Sequence, residues 1–80
     1  MLSRIRLGNI TDLGEKIIGE ILIDGIYAGY YEDFPMSGEM YFHFEEEESE
    51  EIFYSLTKNY RGIKENPEIA FIDDLRAGKI

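Results

Sequence analysis

Cysteine and tryptophan are absent from this sequence of 80 residues, which contains one histidine and two prolines. Without cysteine the chain can form no disulfide, and it lacks a thiolate nucleophile and any Cys-based zinc site. Such a composition suits a reducing compartment, so we expect a cytoplasmic location. The N-terminal segment Met-Leu-Ser-Arg-Ile-Arg-Leu-Gly has no long apolar run. We therefore expect neither a signal peptide nor a membrane-spanning helix, and no membrane partner.

Positive charge is missing from the middle of the chain. No Lys or Arg occurs from residue 17 to residue 57, whereas this segment contains eleven Asp and Glu residues. The formal net charge of −9 thus arises from an acidic block between two ends that together are slightly basic. Because nucleic acids and anionic membranes repel such a chain, we expect no direct nucleic-acid binding. The expected partner is instead a basic protein surface.

The composition indicates a small folded domain, which we assign to residues 1–80. Hydrophobic residues make up 44% of the chain and aromatic residues 14%. Intrinsically disordered segments contain few aromatic and β-branched residues, so disorder is not expected. A domain of this size buries only about 60% of its unfolded surface, which predicts modest stability.

An Asp-Gly pair at residues 24–25 predicts a β-hairpin. A type I′ turn needs positive φ at both central residues, and Asp-Gly tolerates this between two apolar runs. The paired strands are then residues 16–23 and 26–33. Apolar residues in 16–23 also have helical spacing, but Gly19 and four isoleucines disfavour a helix. In the register of a two-residue loop, Gly19 pairs with Tyr30.

The remaining strand signals complete an antiparallel sheet. Residues 39–46 alternate apolar and polar side chains, and residues 3–10 resemble a short edge strand. We therefore predict an α+β fold, an antiparallel meander of three or four strands with one or two C-terminal helices packed on one face. The predicted core consists of Met40, Phe42, Phe44, Ile21, Ile23, Ile52, Phe53 and Leu56.

Two segments near the C-terminus have helix signals. Ser49 is a suitable N-cap, Glu50 then falls in the first turn, and Gly62 fits the position just after the helix. Asn66-Pro67 predicts the start of a second helix, with Pro at its first position. Residues 69–72 also fit an edge strand, which remains the alternative for this segment.

A run of glutamates is the first candidate site. The helix dipole explains Glu50 and Glu51, but not the acids before Ser49. Side chains on one face of a strand lie about 6.6–6.8 Å apart, close to the spacing of successive phosphates on a nucleic-acid strand. We therefore predict that a row of carboxylates imitates phosphates: Glu45, Glu46, Glu47 and Glu48, with Glu32 and Asp33 on the neighbouring strand. The alternative interpretation is a solvated strand end whose charge only maintains solubility.

An aromatic sheet face is the second candidate site. In the predicted register, Tyr27, Tyr31 and Tyr41 share the face opposite Phe42 and Phe44, and His43 lies among them. Tyrosine is favoured at interfaces because it contributes a large area at low entropic cost. The face is predicted to bind a protein or to form a homodimer. Alternatively, the terminal strand and the last helix cover it as ordinary core.

No catalytic motif, phosphate-binding glycine pattern or metal-ligand spacing is present, so we expect no enzymatic activity, cofactor or metal. In size and charge the chain is broadly like small acidic inhibitors from phages and mobile elements, an analogy of composition only. The leading hypothesis is an anti-defence inhibitor that presents a DNA-mimicking acidic surface to a nucleic-acid-binding protein. The alternative is an interaction or structural module, of immunity or antitoxin type, that acts through the tyrosine face.

Overall fold

The computed structural model describes residues 4–80, which form a four-stranded antiparallel sheet followed by two helices. The strands lie side by side in chain order: β1 (Ile5–Asp12), β2 (Ile17–Ile23), β3 (Ile26–Phe34) and β4 (Glu39–Phe44). Helix α1 spans Glu47–Thr57 and helix α2 spans Pro67–Arg76, with a 3-10 turn at Tyr60–Gly62 between them. The predicted α+β meander with C-terminal helices is confirmed. Ser3, the first residue of the predicted edge strand, lies outside the described residues.

The hairpin between β2 and β3 turns at Asp24 and Gly25, as predicted. Their φ angles are +54° and +82°, which is the left-handed conformation that a type I′ turn requires. The Arg4 guanidinium donates two hydrogen bonds, of 2.9 and 2.8 Å, to the Asp24 carboxylate. The turn is therefore held both by its own backbone conformation and by a cation from the residue just before β1.

A β-bulge changes the register beyond this turn. Leu22 pairs with Tyr27 as predicted, but Ile21 pairs with Gly29, so Ala28 is an additional residue without a partner. Side chains alternate between the two faces of a strand, and one inserted residue therefore exchanges the faces of all later ones. The predicted register is wrong from Ala28 onward.

Tyr31, and not Tyr30, consequently lies across from Gly19. A Cβ atom at position 19 would lie 2.2 Å from the Tyr31 ring, so glycine is the residue that leaves room for this ring. Tyr31 is 0% exposed. The prediction that Tyr30 covers the backbone at Gly19 is wrong, and Tyr31 covers it instead.

Both helices pack on one face of the sheet, called here the inner face. The Phe53 ring of α1 lies 5.1 and 5.2 Å from the rings of Phe42 and Phe44 in β4, centroid to centroid. Phe71 of α2 packs against Phe53 in turn. Four of the predicted core residues are buried (Ile21, Ile23, Met40 and Phe53), and the other four are partly buried against them (Phe42, Phe44, Ile52 and Leu56).

Helix α1 begins earlier and ends earlier than predicted. Its N-cap residue is Glu46, which makes no capping hydrogen bond through its side chain, and Ser49 lies inside the helix. The helix ends at Thr57, and Gly62 is instead the last residue of a separate 3-10 turn in which Arg61 has a φ of +53°. The apolar stripe identified the helix correctly, but its boundary signals were misassigned.

Helix α2 begins at Pro67 after Asn66, as predicted, and the alternative of an edge strand at residues 69–72 is wrong. The Tyr60 hydroxyl and the Arg61 guanidinium both donate to the Asp74 carboxylate, at 2.5 and 3.0 Å. These bonds attach the 3-10 turn to α2. Neither helix in residues 4–80 has the length and apolarity needed to cross a bilayer.

Candidate protein-interaction surface

The sheet face opposite the helices, called here the outer face, carries most of the chain's exposed aromatic side chains. Tyr27 is 42% exposed and Tyr41 is 48% exposed. Neighbouring rings are half-buried against each other rather than beneath a helix. The larger side chains of the outer face are Ile18, Leu22, Tyr27, Tyr30, Phe34, Tyr41 and His43.

Glu32 lies in the middle of the outer face, between two side chains that form hydrogen bonds with its carboxylate. Lys16 Nζ donates to Glu32 Oε2 at 2.9 Å, and His43 Nε2 donates to Glu32 Oε1 at 2.6 Å. The hydrogen bond from Lys16, followed by the one from His43, holds the pKa of Glu32 below its usual range. Glu32 is therefore engaged within the chain and is not a free carboxylate for a partner.

Ring contacts hold the outer face in one arrangement. The His43 ring stacks on Tyr30 with 4.7 Å between centroids and 25° between planes. Tyr41 meets the Phe34 ring edge to face at 5.8 Å, and Lys16 Nζ lies 5.9 Å from the Phe34 centroid. Because the Tyr41 ring already has this neighbour, it loses little further conformational freedom when a partner covers it.

Tyr31 and Asp33, both predicted to face a partner, lie instead on the inner face. Tyr31 is buried, with the Arg76 guanidinium of α2 5.9 Å from its ring centroid. Asp33 is 9% exposed, and its Oδ2 accepts from Arg76 Nη2 at 2.9 Å. The prediction that placed these two residues on a partner-facing surface is wrong, and the physical reason is the bulge at Ala28.

Tyr30 and Phe34 lie on the outer face. The predicted register placed Tyr30 on the opposite face and did not include Phe34. The signal that identifies them is the pair Ala28-Gly29, two small residues in the middle of a strand. A glycine inside a strand frequently marks a bulge or a close approach of backbone. A Cβ atom at Gly29 would lie 2.1 Å from the His43 carbonyl oxygen, so both features are present.

Six glutamates between β4 and α1 form a second surface, called here the acidic corner: Glu45, Glu46, Glu47, Glu48, Glu50 and Glu51. All six are exposed. Among residues 4–80, no Lys, Arg or His forms an ion pair with any of them. The corner is therefore a concentration of negative charge without an ion-pair partner in the described part of the chain.

The backbone at this corner does not have the geometry that the phosphate-row hypothesis assumed. Strand β4 ends at Phe44, and Glu47, Glu48 and Glu50 lie in the first turn of α1. The strand spacing expected between Glu45 and Glu47 is therefore wrong, and so is the contribution of Asp33 to the row. Helix-dipole interactions favour acids in a first turn, so Glu45, Glu46 and Glu51 lack this local explanation.

Three acids of residues 17–57 that lie outside the acidic corner form ion pairs. Cations from the two basic ends of the sequence pair with them: Arg4 with Asp24, Lys16 with Glu32, and Arg76 with Asp33. The hydrogen bond from Arg4 lowers the pKa of Asp24. Folding thus pairs three of the eight Lys and Arg residues with acids of the hairpin and none with the acidic corner.

The acidic corner and the outer face meet at Tyr27. The Glu45 backbone N–H donates to the Ala28 carbonyl at 3.1 Å, which places Glu45 beside the tyrosine. Partial burial raises the pKa of Tyr27, and the charges of Glu45 and Glu20 raise it further. The two candidate surfaces are therefore continuous, and one partner is able to contact both.

Neither a metal site in the described residues nor similarity to a known protein helps to interpret these two surfaces. In the stretch from residue 4 to residue 80, no three His, Asp or Glu side chains converge in a manner that would hold a metal ion. No protein-family model, no curated protein and no solved structure matches the chain. The features that bear on function are therefore structural: an antiparallel meander with two C-terminal helices, one aromatic sheet face and one acidic corner.

Proposed function

We propose that this chain is a non-enzymatic binding protein that inhibits a nucleic-acid-binding protein by presenting the acidic corner to its basic site. The observation that carries the proposal is the set of six exposed glutamates without an ion-pair partner among residues 4–80. Like charges held this closely repel one another, and natural surfaces usually intersperse charges of both signs. A basic partner removes this repulsion and supplies the missing counter-charge.

The corner competes with nucleic acid as a compact patch of carboxylates rather than as an ordered row of phosphates. A basic groove binds a polyanion largely because counterions are released from both surfaces, and this term requires charge density more than an exact spacing. The first turn of α1 holds Glu47, Glu48 and Glu50 close together, whereas Glu45 and Glu46 extend the patch toward the sheet. Inhibition by charge density is therefore compatible with the corrected backbone geometry.

A second candidate function is an interaction module, of immunity or antitoxin type, that binds mainly through the outer face. The exposure of the Tyr27 and Tyr41 rings on a face without a covering helix supports it. Self-association through this face would bring together two chains that each carry a net charge of −9. Charge repulsion thus favours a different, basic protein over a second copy.

Two double variants with the same change in net charge test the role of the corner. Glu45→Lys/Glu46→Lys alters the corner outside α1, whereas Glu15→Lys/Glu65→Lys alters two exposed loop acids elsewhere. The native chain and both variants are immobilised and used to capture proteins from a lysate of the source cells. We expect the native chain and the loop variant to retain the same basic nucleic-acid-binding protein, and the corner variant to lose it.

Competition and salt then distinguish the two candidate functions. Added DNA or RNA should displace the captured protein, and binding should weaken at least tenfold between about 50 and 200 mM salt. Equal capture by the corner variant and the loop variant would show that the corner does not bind the partner. Capture that ignores salt and nucleic acid, but is lost in Tyr27→Leu, would support the outer-face module instead.

A further inference from the structure

The chain twice places one of its own cations over an aromatic ring and beside a carboxylate. On the inner face, the Arg76 guanidinium lies 5.9 Å from the Tyr31 centroid and 2.9 Å from Asp33 Oδ2. On the outer face, Lys16 Nζ lies 5.9 Å from the Phe34 centroid and 2.9 Å from Glu32 Oε2. A ring and an acid that share one cation are therefore a repeated element of this molecule.

Two more pairs of a ring and an acid lie on the outer face, and neither carries a Lys or Arg from residues 4–80. Tyr27 is one ring, and the backbone hydrogen bond from Glu45 to Ala28 holds the Glu45 residue next to it. Tyr41 is the other, with Glu39 two residues before it on the same face of β4. The Glu39 carboxylate, as an acceptor and as a negative charge, raises the pKa of Tyr41.

We infer that the outer face binds arginine side chains of a basic protein partner, with guanidinium groups stacked on Tyr27 and Tyr41 and paired with the adjacent glutamates. The inference rests on the proposed function, because it names the residue type through which the basic partner is recognised. Charge complementarity supports this occupant: acids border both rings, and the chain as a whole carries −9. The continuity of the two surfaces at Tyr27 lets one basic segment contact the acidic corner as well.

Arginine fits these positions better than lysine for physical reasons. The guanidinium is planar, so it can lie flat on a tyrosine ring while its N–H groups donate sideways to a carboxylate. It is also less strongly hydrated than an ammonium group, so stacking on an aromatic face removes less favourable solvation. Arginine consequently takes part in cation–π contacts more often than lysine does.

Titration of the full-length, isotope-labelled chain with two peptides of equal charge tests the inference by NMR. One peptide alternates glycine with arginine and the other alternates glycine with lysine. We expect both peptides to shift the backbone amide signals of the acidic corner. Only the arginine peptide should shift the ring signals of Tyr27 and Tyr41, and it should bind about three- to tenfold more tightly.

Tyrosine variants separate ring stacking from charge attraction. Tyr27→Leu/Tyr41→Leu should reduce the affinity for the arginine peptide to that for the lysine peptide. Tyr27→Phe/Tyr41→Phe keeps both rings and should keep the preference for arginine, which guards against a loss caused by misfolding. Tyr54→Leu is the matched control, because Tyr54 is a similarly exposed tyrosine on α1 that contacts the inner-face rings Phe42 and Phe44.

Each contrary outcome has a distinct meaning. If the two peptides bind equally and leave the tyrosine signals unchanged, arginine recognition is wrong while the acidic corner keeps its proposed role. If neither peptide binds, both the inference and the proposed function are wrong. If the tyrosine signals shift with protein concentration alone, the occupant of the outer face is a second copy of the chain, which also overturns the inference.

Discussion

Glu32 and Asp33 are neighbours in sequence, yet each is neutralised on a different side of the sheet. Glu32 faces outward, where Lys16 and His43 bind it, and Asp33 faces inward, where Arg76 binds it. The two acids resemble one patch when only the sequence is considered. The alternation of side chains along β3 separates them, so neither contributes free negative charge to a partner-binding surface.

The ion pair between Glu32 and Lys16 predicts a defined pH dependence for Glu32→Gln. The pKa of Glu32 is lower in the folded chain than in the unfolded chain, chiefly because of its hydrogen bond from Lys16. Its contribution to stability is therefore complete above the ordinary glutamate pKa, and it is lost as pH falls through the lowered value. We expect Glu32→Gln to be less stable than the native chain at neutral pH, with a difference that disappears in acid.

Urea denaturation at a series of pH values measures this difference. Glu39→Gln is the matched control, because Glu39 lies on the same face and has no ion-pair partner among residues 4–80. The control should show no comparable pH-dependent loss. A loss in Glu32→Gln that is the same at every pH would mean that packing, and not the ion pairs, accounts for it.

At the scale of the elements, the start of α1 decides how the acidic corner is interpreted. The helix begins at Glu47, so its first turn contains three glutamates whose charge interacts favourably with the helix dipole. With a start after Ser49, Glu50 would still have been in the first turn, but Glu47 and Glu48 would have preceded the helix. Because of this boundary, part of the apparent phosphate row is the acidic first turn that is usual for a helix.

Two substitutions distinguish the two helix boundaries. Because the Glu46 side chain does not cap the helix, Glu46→Ser should stabilise the fold by about 0.5–1 kcal/mol. Ser49 lies within the helix, where alanine has the higher helix propensity, so Ser49→Ala should be neutral or slightly stabilising. Urea midpoints at neutral pH provide both values. A loss of about 1 kcal/mol in Ser49→Ala would instead place the cap at Ser49 and contradict the observed boundary.

At the scale of the whole molecule, charge is distributed unevenly over the surface. The basic residues Arg4, Lys16 and Arg76 are already paired with acids of the hairpin strands and turn. The acidic corner retains its charge, and it therefore contributes both to binding and to the internal repulsion of the chain. Salt should weaken both effects, so it should lower the affinity for a basic partner and raise the stability of the free chain.

We expect added sodium chloride to stabilise the free chain while it weakens the complex. The screening length falls from about 30 Å at 0.01 M to about 8 Å at 0.15 M, which reduces repulsion among the glutamates. The melting temperature, followed by circular dichroism, should rise by about 4–8 °C over this range, equivalent to about 1 kcal/mol. Glu45→Lys/Glu46→Lys should show a smaller rise than Glu15→Lys/Glu65→Lys, since its repulsion is already reduced. Equal rises in the two variants would mean that repulsion is not concentrated at the corner.

The α+β architecture and the hairpin could be predicted because they depend on local chemistry. Asp24 and Gly25 tolerate positive φ, the residues of β4 alternate, and Pro67 suits the first position of a helix. The bulge could not be predicted from local chemistry in the same way. Whether Ala28 is inserted depends on the packing of the Tyr31 ring against Gly19, across two strands and beneath α2.

The sequence by itself thus determined the class of fold, the hairpin turn, three of the core phenylalanines (Phe42, Phe44 and Phe53) and the excess of negative charge. Each of these follows from residue type and short-range periodicity. Only the tertiary structure decided which tyrosines face solvent and which carboxylates lack a cation. One bulge residue inverts the alternation of side chains along β3. The ion pairs that neutralise Asp24, Glu32 and Asp33 join residues distant in sequence.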